Sequence, residues 1–422
     1  MHQIVPAMLL TMGAYYGTLA AARCLGKQGI CVVLADDRKL TATGFSRFIR
    51  RFVRAPSVDD PETFRRWMLE YGEKNPGLVL YPTSDELAWI IATEQTALRK
   101  HYKLFQSPES AVYGLLNKQR LYSSAREFGL QAPLTHFPSS TAELDQVARE
   151  VTYPVIVKPR TQIGMRINVK GLICNDAREL KENVALVMQR FPYKPEMLAY
   201  DPTVRWPMVQ QFHPEAASDT YSLTGFRHHD GKMVVRGAKK VLQRPIRVGV
   251  GMAFESRPIQ EHLRDNVQRL LQSIGYAGVF EAEFIHLRDR NEYLLMDFNP
   301  RFYGQMGFDA KRGLPLPLLV FAAANGDEAQ VQALMARASD WDHEAVHKYR
   351  YGWMLNVVLT TQWLGRKLTR GTRARWLQWS RHGRVYDSVF DSEDRKPYLI
   401  EIVCALLDFM KHPRSSFRTY FR

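Results

Sequence analysis

Residues 279–304 read VFEAEFIHLRDRNEYLLMDFNPRFYG, from Val279 to Gly304. Acidic and apolar residues alternate from Phe280 to His286, the polar run LRDRN breaks the pattern, and Tyr293–Phe298 is apolar again. This is the pattern of two strands joined by a turn near Arg290. Side chains on one face of a strand recur every second residue, so such a hairpin sets Glu283 opposite Asp297. Asn299 and Arg301 follow Asp297 on the same face, and Glu281 falls opposite Asn299, nearer the edge of the group. Two carboxylates, a carboxamide and a guanidinium then project together. Hard oxygen ligands on a rigid support suit Mg²⁺, which takes a few carboxylates together with phosphate oxygens and water. The adjacent arginine suits phosphate. Alternation can also mean only one wet face of a sheet. That explains Glu281 and Glu283 but not the run Asp297-Phe-Asn299-Pro300-Arg301 after an apolar strand.

The first hundred residues outline an α/β unit. Ala7–Thr11 is a short apolar strand, Gly13–Gly17 a turn, Thr18–Gly26 a helix, and Cys31–Ala35 a second strand ending at Asp36-Asp37. Strand, glycine turn, helix, strand and acid is the plan of a nucleotide-binding βαβ unit. Gly13-Ala-Tyr-Tyr-Gly17 is not GxGxxG, however, so a structural role is expected here. Leu78–Pro82 reads as another buried strand. Ser84 and Asp85 after it read as caps of the next helix.

A boundary falls near Ser107-Pro108. Ala111–Gly129 reads as one helix with Asn117-Lys118 near its middle. Tyr153-Pro-Val-Ile-Val157 reads as a strand that delivers Lys158, and Thr161-Gln162-Ile163-Gly164 as a turn suited to covering phosphate. Met208–His213 is strand-like.

In this order and spacing, Lys118, Lys158, Met208–His213, Glu283, Asp297, Asn299 and Arg301 resemble the ATP-grasp superfamily, in particular its carboxylate–amine ligase branch. The resemblance covers about residues 5 to 325. Its most specific part is Glu283-Phe-Ile with Met296-Asp-Phe-Asn-Pro-Arg-Phe-Tyr-Gly304, which looks like the family's metal-binding strand pair with its ENPR-type ending. The fold this implies is α/β and α+β. A pre-ATP-grasp Rossmann-like domain (1–108) precedes an ATP-grasp domain of two subdomains (109–325, the second about 165–240), and a basic, mainly helical extension (326–422) follows.

By the same resemblance, Lys118, Lys158 and Gly164 contact the nucleotide phosphates of ATP. Gln210, Gln211, Phe212 and His213 form the hinge whose backbone reads the adenine edge, and Asp219 reaches the ribose. Lys240 and Arg301 attend the reacting phosphoryl group, and Glu283, Asp297 and Asn299 hold Mg²⁺ or Mn²⁺. Two departures stand out. Asp297 occupies the position of the usual glutamate, one methylene shorter, and Gln210-Gln211 replaces the common hinge acid. The activity implied is ATP-dependent coupling of a small-molecule carboxylic acid to an amine. One alternative is a biotin-carboxylase-like enzyme that activates bicarbonate. Another is a non-catalytic nucleotide-binding protein that docks at anionic membrane or nucleic acid.

Composition and absences narrow the field. Cys24, Cys31, Cys174 and Cys404 lie scattered without CxxC spacing, which argues for a reducing compartment and against a zinc site. No basic region precedes the first apolar run, as a signal peptide would require. Nor does any stretch reach about 18 uninterrupted apolar residues. A cytoplasmic location is expected. The sequence has no Walker A glycine–lysine loop, no HExxH and no G-x-S-x-G elbow.

The net charge of +15 suits anionic partners. Past residue 325 it concentrates. Arg366–Arg384 holds seven basic residues (Arg366, Lys367, Arg370, Arg373, Arg375, Arg381 and Arg384) and no acid, with Trp363, Trp376 and Trp379 interleaved. This suits either a solvated helix face packed on the core or docking at the inner membrane face. Nucleic acid is the less expected partner. Tyr398–Met410 reads as a final amphipathic helix.

Overall fold

A computed structural model describes residues 7–165, 170–244, 250–340, 345–366 and 368–411. Lys367, one of the seven basic residues of the tail, lies outside them. Three sheets organise the described residues. The first contains β1 (Ala7–Thr11), β2 (Cys31–Asp36), β3 (Ile49–Arg54), β4 (Val79–Leu80) and β5 (Lys103–Leu104), all parallel, in the order β3-β2-β1-β4-β5. β1 and β2 are apolar up to their last residues, Thr11 and Asp36, because both faces of the sheet are covered, as in parallel sheets generally.

The second sheet is antiparallel and has four strands: β6 (Thr135–His136), β7 (Val155–Lys158), β8 (Leu172–Cys174) and β9 (Met208–Gln211), in the order β6-β9-β7-β8. Helices Ala177–Arg190 and Thr141–Glu150 pack on it through Leu180, Val184, Val187, Leu144 and Val147.

The third sheet has seven strands. β10 (Thr220–Arg227), β11 (Met233–Arg244), β12 (Val250–Arg257), β13 (Gly278–Leu287), β14 (Glu292–Asn299), β15 (His347–Arg350) and β16 (Arg384–Asp387) are ordered β14-β13-β10-β11-β12-β15-β16. The second subdomain expected at about 165–240 therefore straddles two sheets. Its β10 and most of β11 belong to the large sheet, and the small sheet is complete by Gln211.

One further expectation is corrected. Ala111–Gly129 is two helices, Glu109–Leu116 and Lys118–Glu127, broken at Asn117. The Asn117 side chain accepts from the backbone N–H groups of Gln119 and Arg120 and so starts the second helix. The tail is mainly helical, as expected, with two short strands besides. It adds β15 and β16 to the edge of the large sheet beyond β12. Its basic helix Arg370–Trp379 is tied inward, since Trp379 Nε1 donates to Glu255 Oε1 at 2.6 Å and Trp376 and Trp379 pack beside Tyr349 and Phe254. A buried ion pair anchors the tail to the first sheet: Arg23 Nε donates to Asp394 Oδ2 at 2.9 Å, and the same carboxylate accepts from Ser46 Oγ at 2.7 Å. No described helix is long and apolar enough to cross a membrane.

Candidate active site

The β13/β14 hairpin carries the densest cluster of functional side chains. Glu281 pairs with Asn299 and Glu283 with Asp297, after which the register shifts and Phe284 lies opposite Leu295. Met296 is the extra residue of a bulge, which twists the strand just before the functional run. Glu281, Glu283, Asp297 and Asn299 line a cavity of about 680 Å³, to which Arg301 also contributes. Lys158 from the end of β7, Lys118 from the start of its helix, and Lys240 from β11 line the same cavity.

The placement of Lys118 follows from local chemistry. Its backbone N–H donates to the Arg160 carbonyl at 2.7 Å, and Asn117 fixes the helix start. Its ammonium donates to Asp297 Oδ1. Burial alone would raise the Asp297 pKa, but Lys118 overrides it and holds the carboxyl below its ordinary value. Glu283 goes the other way. Burial raises its pKa, Lys240 offsets part of the rise, and Asp297 adds to it. Glu281 is raised further, by burial and then by repulsion from Glu283.

The lysines show the opposite imbalance. Burial, followed by the nearby Lys118 charge, pulls Lys158 down to about 8. Burial lowers Lys240 too, against the attraction of Glu283. Apart from the Lys118–Asp297 pair, the cavity is thus electrostatically incomplete: Glu281 and Glu283 lack enough cation, and Lys158 and Lys240 lack enough anion. An anion chelated to a cation satisfies both sets. Among the described residues, no three His, Cys, Asp or Glu side chains converge as a self-sufficient metal cage. That suits Mg²⁺, which commonly takes one or two carboxylates and completes its octahedron with phosphate and water oxygens. The oxygens of Glu283, Asp297 and Asn299 are the fitting donor set.

Arg301 is more committed than the sequence implied. Its Nε donates to Asp85 Oδ1, Nη1 to Tyr15 Oη at 3.1 Å and to the Phe302 carbonyl at 3.0 Å, and Nη2 to Asn299 Oδ1 at 2.8 Å. Asp85 and Tyr15 outweigh burial and hold its pKa above the ordinary arginine value. Arg301 locks β14 to the first sheet's loops and keeps a single N–H for a ligand. Asp85 is therefore more than a helix-capping residue. Ser84 is the cap, accepting from the Leu87 N–H at 3.3 Å.

Two expected nucleotide contacts fall elsewhere, and the side chain of a third residue, Gln210, is already engaged. Asp219 does not line the main cavity. It is held by Lys239 at 2.8 Å, His286 at 3.5 Å and Arg288, beside a second cavity of about 610 Å³ that shares Gln211 and His213 with the first. Gly164 is a turn residue at φ +70°. Its N–H donates to Glu86 Oε2 at 2.8 Å, and an added Cβ would lie 2.5 Å from Met197. Gln210 lines the cavity but is saturated. Its carbonyl oxygen accepts from Lys158 Nζ at 3.1 Å, and its nitrogen donates to Tyr122 at 3.2 Å and Thr135 at 2.9 Å. Its side chain positions Lys158. Gln211, Phe212 and His213 remain at the cavity mouth.

Glu281 overturns the expectation that it lies near the edge. It is 3% exposed and accepts from Asn299 Nδ2 at 3.0 Å and from Gln305 Nε2. Sequence reading also missed Tyr15, Gln305 and Tyr351, which join the same cavity from three distant segments.

No family model matches the chain, and no curated protein matches its sequence. Solved structures do match. The biotin carboxylase domain of 2-oxoglutarate carboxylase from Hydrogenobacter thermophilus, in complex with MgADP, ADP and bicarbonate, has a TM-score of 0.64 at 13% identity. The match covers 82% of this chain and 74% of that one. L-amino acid ligase from Bacillus licheniformis gives 0.58 at 15% identity, covering 81% and 78%. Phosphoribosylglycinamide synthetase from Anaerococcus prevotii gives 0.54 at 12% identity, covering 81% and 80%. The chain has the ATP-grasp fold.

At these identities the likeness is one of fold. Within the ATP-grasp fold, the first parallel sheet is the Rossmann-like pre-ATP-grasp unit, and the four- and seven-stranded sheets enclose the cavity between them.

Proposed function

We propose that this ATP-grasp protein is an ATP- and Mg²⁺-dependent ligase. It activates a substrate carboxylate as an acyl phosphate and couples it to an amine, releasing ADP and phosphate. The observation that carries this reading is the meeting, in one cavity, of the β13/β14 carboxylates with the ammonium groups of Lys118, Lys158 and Lys240. The solved ligases of the same fold support it.

Mg²⁺, when bound through Glu283, Asp297 and Asn299, supplies charge neutralisation between the nucleotide phosphates. Lys118 exchanges its contact with Asp297 for phosphate. Lys158, positioned by Gln210, regains a full positive charge against the same anion. Phe212 and His213 border the base, and Arg301 holds Asn299 in place with one N–H left toward the transferring group. Lys240 faces the incoming carboxylate as it attacks the γ-phosphorus. The protein forms no covalent bond; positioning and electrostatics carry the rate. The connection between β7 and β8 and the helix Pro195–Tyr200 contact the first domain at Gly164–Glu86 and Glu196–Arg65, and closure of this part over the cavity would shield the acyl phosphate from water.

The test is ADP release across a panel of carboxylic acids with hydroxylamine as surrogate amine. Equal ADP and phosphate with a hydroxamate product is the expected outcome. AMP and pyrophosphate contradict it. Turnover stimulated by bicarbonate without any amine replaces it with the carboxylase reading.

A further inference from the structure

The last helix, Lys396–Lys411, is mounted with its apolar side outward. It packs on the segment Thr43–Phe45 through its more polar face. Glu401 accepts from Tyr16 Oη at 2.7 Å, and the Cys404 thiol meets the Leu40 carbonyl at 3.7 Å. On the opposite side, Leu399, Val403, Leu406 and Met410 are 60%, 42%, 55% and 68% exposed. The spacing i, i+4, i+7, i+11 makes them one continuous stripe. Exposed Phe409 borders the stripe, and exposed Leu40 and Phe45 lie beside the helix on the segment it covers. Isolated exposed apolar residues are ordinary, but a contiguous stripe of this kind marks an interaction surface.

The charge around the stripe identifies what covers it. Arg38, Lys39, Arg395, Lys396 and Lys411 are exposed near it. Of the nearby acids, Glu393 is paired with Lys27, and Asp37 lies 3.7 Å from Arg38. Asp408 is the exposed acid on the helix itself. The sequence that follows the helix, HPRSSFRTYFR, adds three arginines and three aromatic residues and no acid. Pairing two copies through this stripe would bring two such cationic sets together. An anionic lipid surface instead meets the apolar stripe with acyl chains and the cationic rim with headgroups. At 16 residues the helix is about 24 Å long, which fits a position in the plane of the interface.

We propose that helix Lys396–Lys411, with the cationic residues around it, docks this protein peripherally on anionic lipid membranes. The tie from Glu401 to Tyr16, a residue of the main cavity, joins the docking helix to the candidate active site.

The test is co-sedimentation of the full chain with phosphatidylcholine vesicles with and without phosphatidylglycerol. Binding is expected with the anionic vesicles only, and it should weaken at high salt. Val403→Glu/Leu406→Glu should lower the partition coefficient by about tenfold or more, since it puts charge where apolar contact is needed. Arg38→Glu/Lys39→Glu should lower it as well and flatten its salt dependence. Unchanged melting temperatures separate lost docking from lost folding, and the milder Leu406→Ser/Met410→Ser provides a second reading. The proposal is overturned if the intact chain ignores anionic vesicles, or if both apolar-stripe variants bind them like the parent. It is likewise overturned if the chain sediments as a dimer that the Glu variant dissociates, with no vesicle binding.

Discussion

Lys118 Nζ and Asp297 Oδ1 form an ion pair across the cavity, joining a helix start to the end of a strand 179 residues later. In the proposed function both partners have another contact, Lys118 with phosphate and Asp297 with Mg²⁺, so the pair would open when the nucleotide binds.

Replacing Lys118 with methionine removes a donor aimed at phosphate and leaves Asp297 without its counter-charge. Loss of one such preorganised donor costs about 10²–10³-fold in turnover. Lys118→Met should fall in that range in kcat/KM for ATP, measured by ADP release. Its free-state Asp297 should also titrate at higher pH, since Lys118 is what opposes burial there.

Lys158 gives the site a proton linkage. Its pKa in the folded chain is about 8, below the ordinary lysine value. Between those values the unfolded chain holds more protons, so this residue makes stability rise with pH across that window. Phosphate contact restores the charge. Nucleotide binding should take up a proton at pH 8 and above, and affinity should fall as pH climbs through 8. Calorimetry in two buffers of different ionisation enthalpy measures the uptake, and Lys158→Met should abolish it.

The tail's attachment is a question of folding. Removing one partner of a buried ion pair costs about 3–5 kcal/mol, because the other is left uncompensated. Arg23→Met strands Asp394, which also accepts from Ser46 and the Arg47 N–H. Urea unfolding should show a loss of that size. An unchanged midpoint would mean that the tail is held by its apolar contacts and by β15 and β16 instead.

The sequence was most legible where local rules act alone. The period-two alternation of 280–286 and the polar turn place Glu283 opposite Asp297, and the structure has that register. What lay beyond local rules was missed. The helix break at Asn117 depends on a side-chain cap that outweighs an otherwise continuous apolar pattern. β15 and β16 read HKYR and RVYD, too polar to announce strands, and they pair in parallel across a long separation. Asp219 is given a ribose contact by the resemblance, and only the fold brings Lys239, His286 and Arg288 around it. Tyr15, Asp85 and Tyr351 carry no motif, because their proximity to Arg301 and Glu281 is made by three separate chain segments.

Glu281 now carries a different expectation from a peripheral acid. It accepts from Asn299 and Gln305 and is buried. Glu281→Gln should misorient Asn299 and reduce kcat by roughly tenfold or more, as loss of support for a metal ligand does. A wild-type kcat would show that Asn299 is held by Arg301 alone.

The most direct measurement is a double-mutant cycle on Glu283 and Asp297 with ADP release as the readout. If both act through one metal–phosphate unit, Glu283→Gln and Asp297→Asn should each cost about 10²-fold or more in rate. The double variant should be little worse than either single one. Folding should survive in Glu283→Gln, because burial already disfavours the charge it removes. A double variant that turns over ATP with Mg²⁺ at the parental rate contradicts the account.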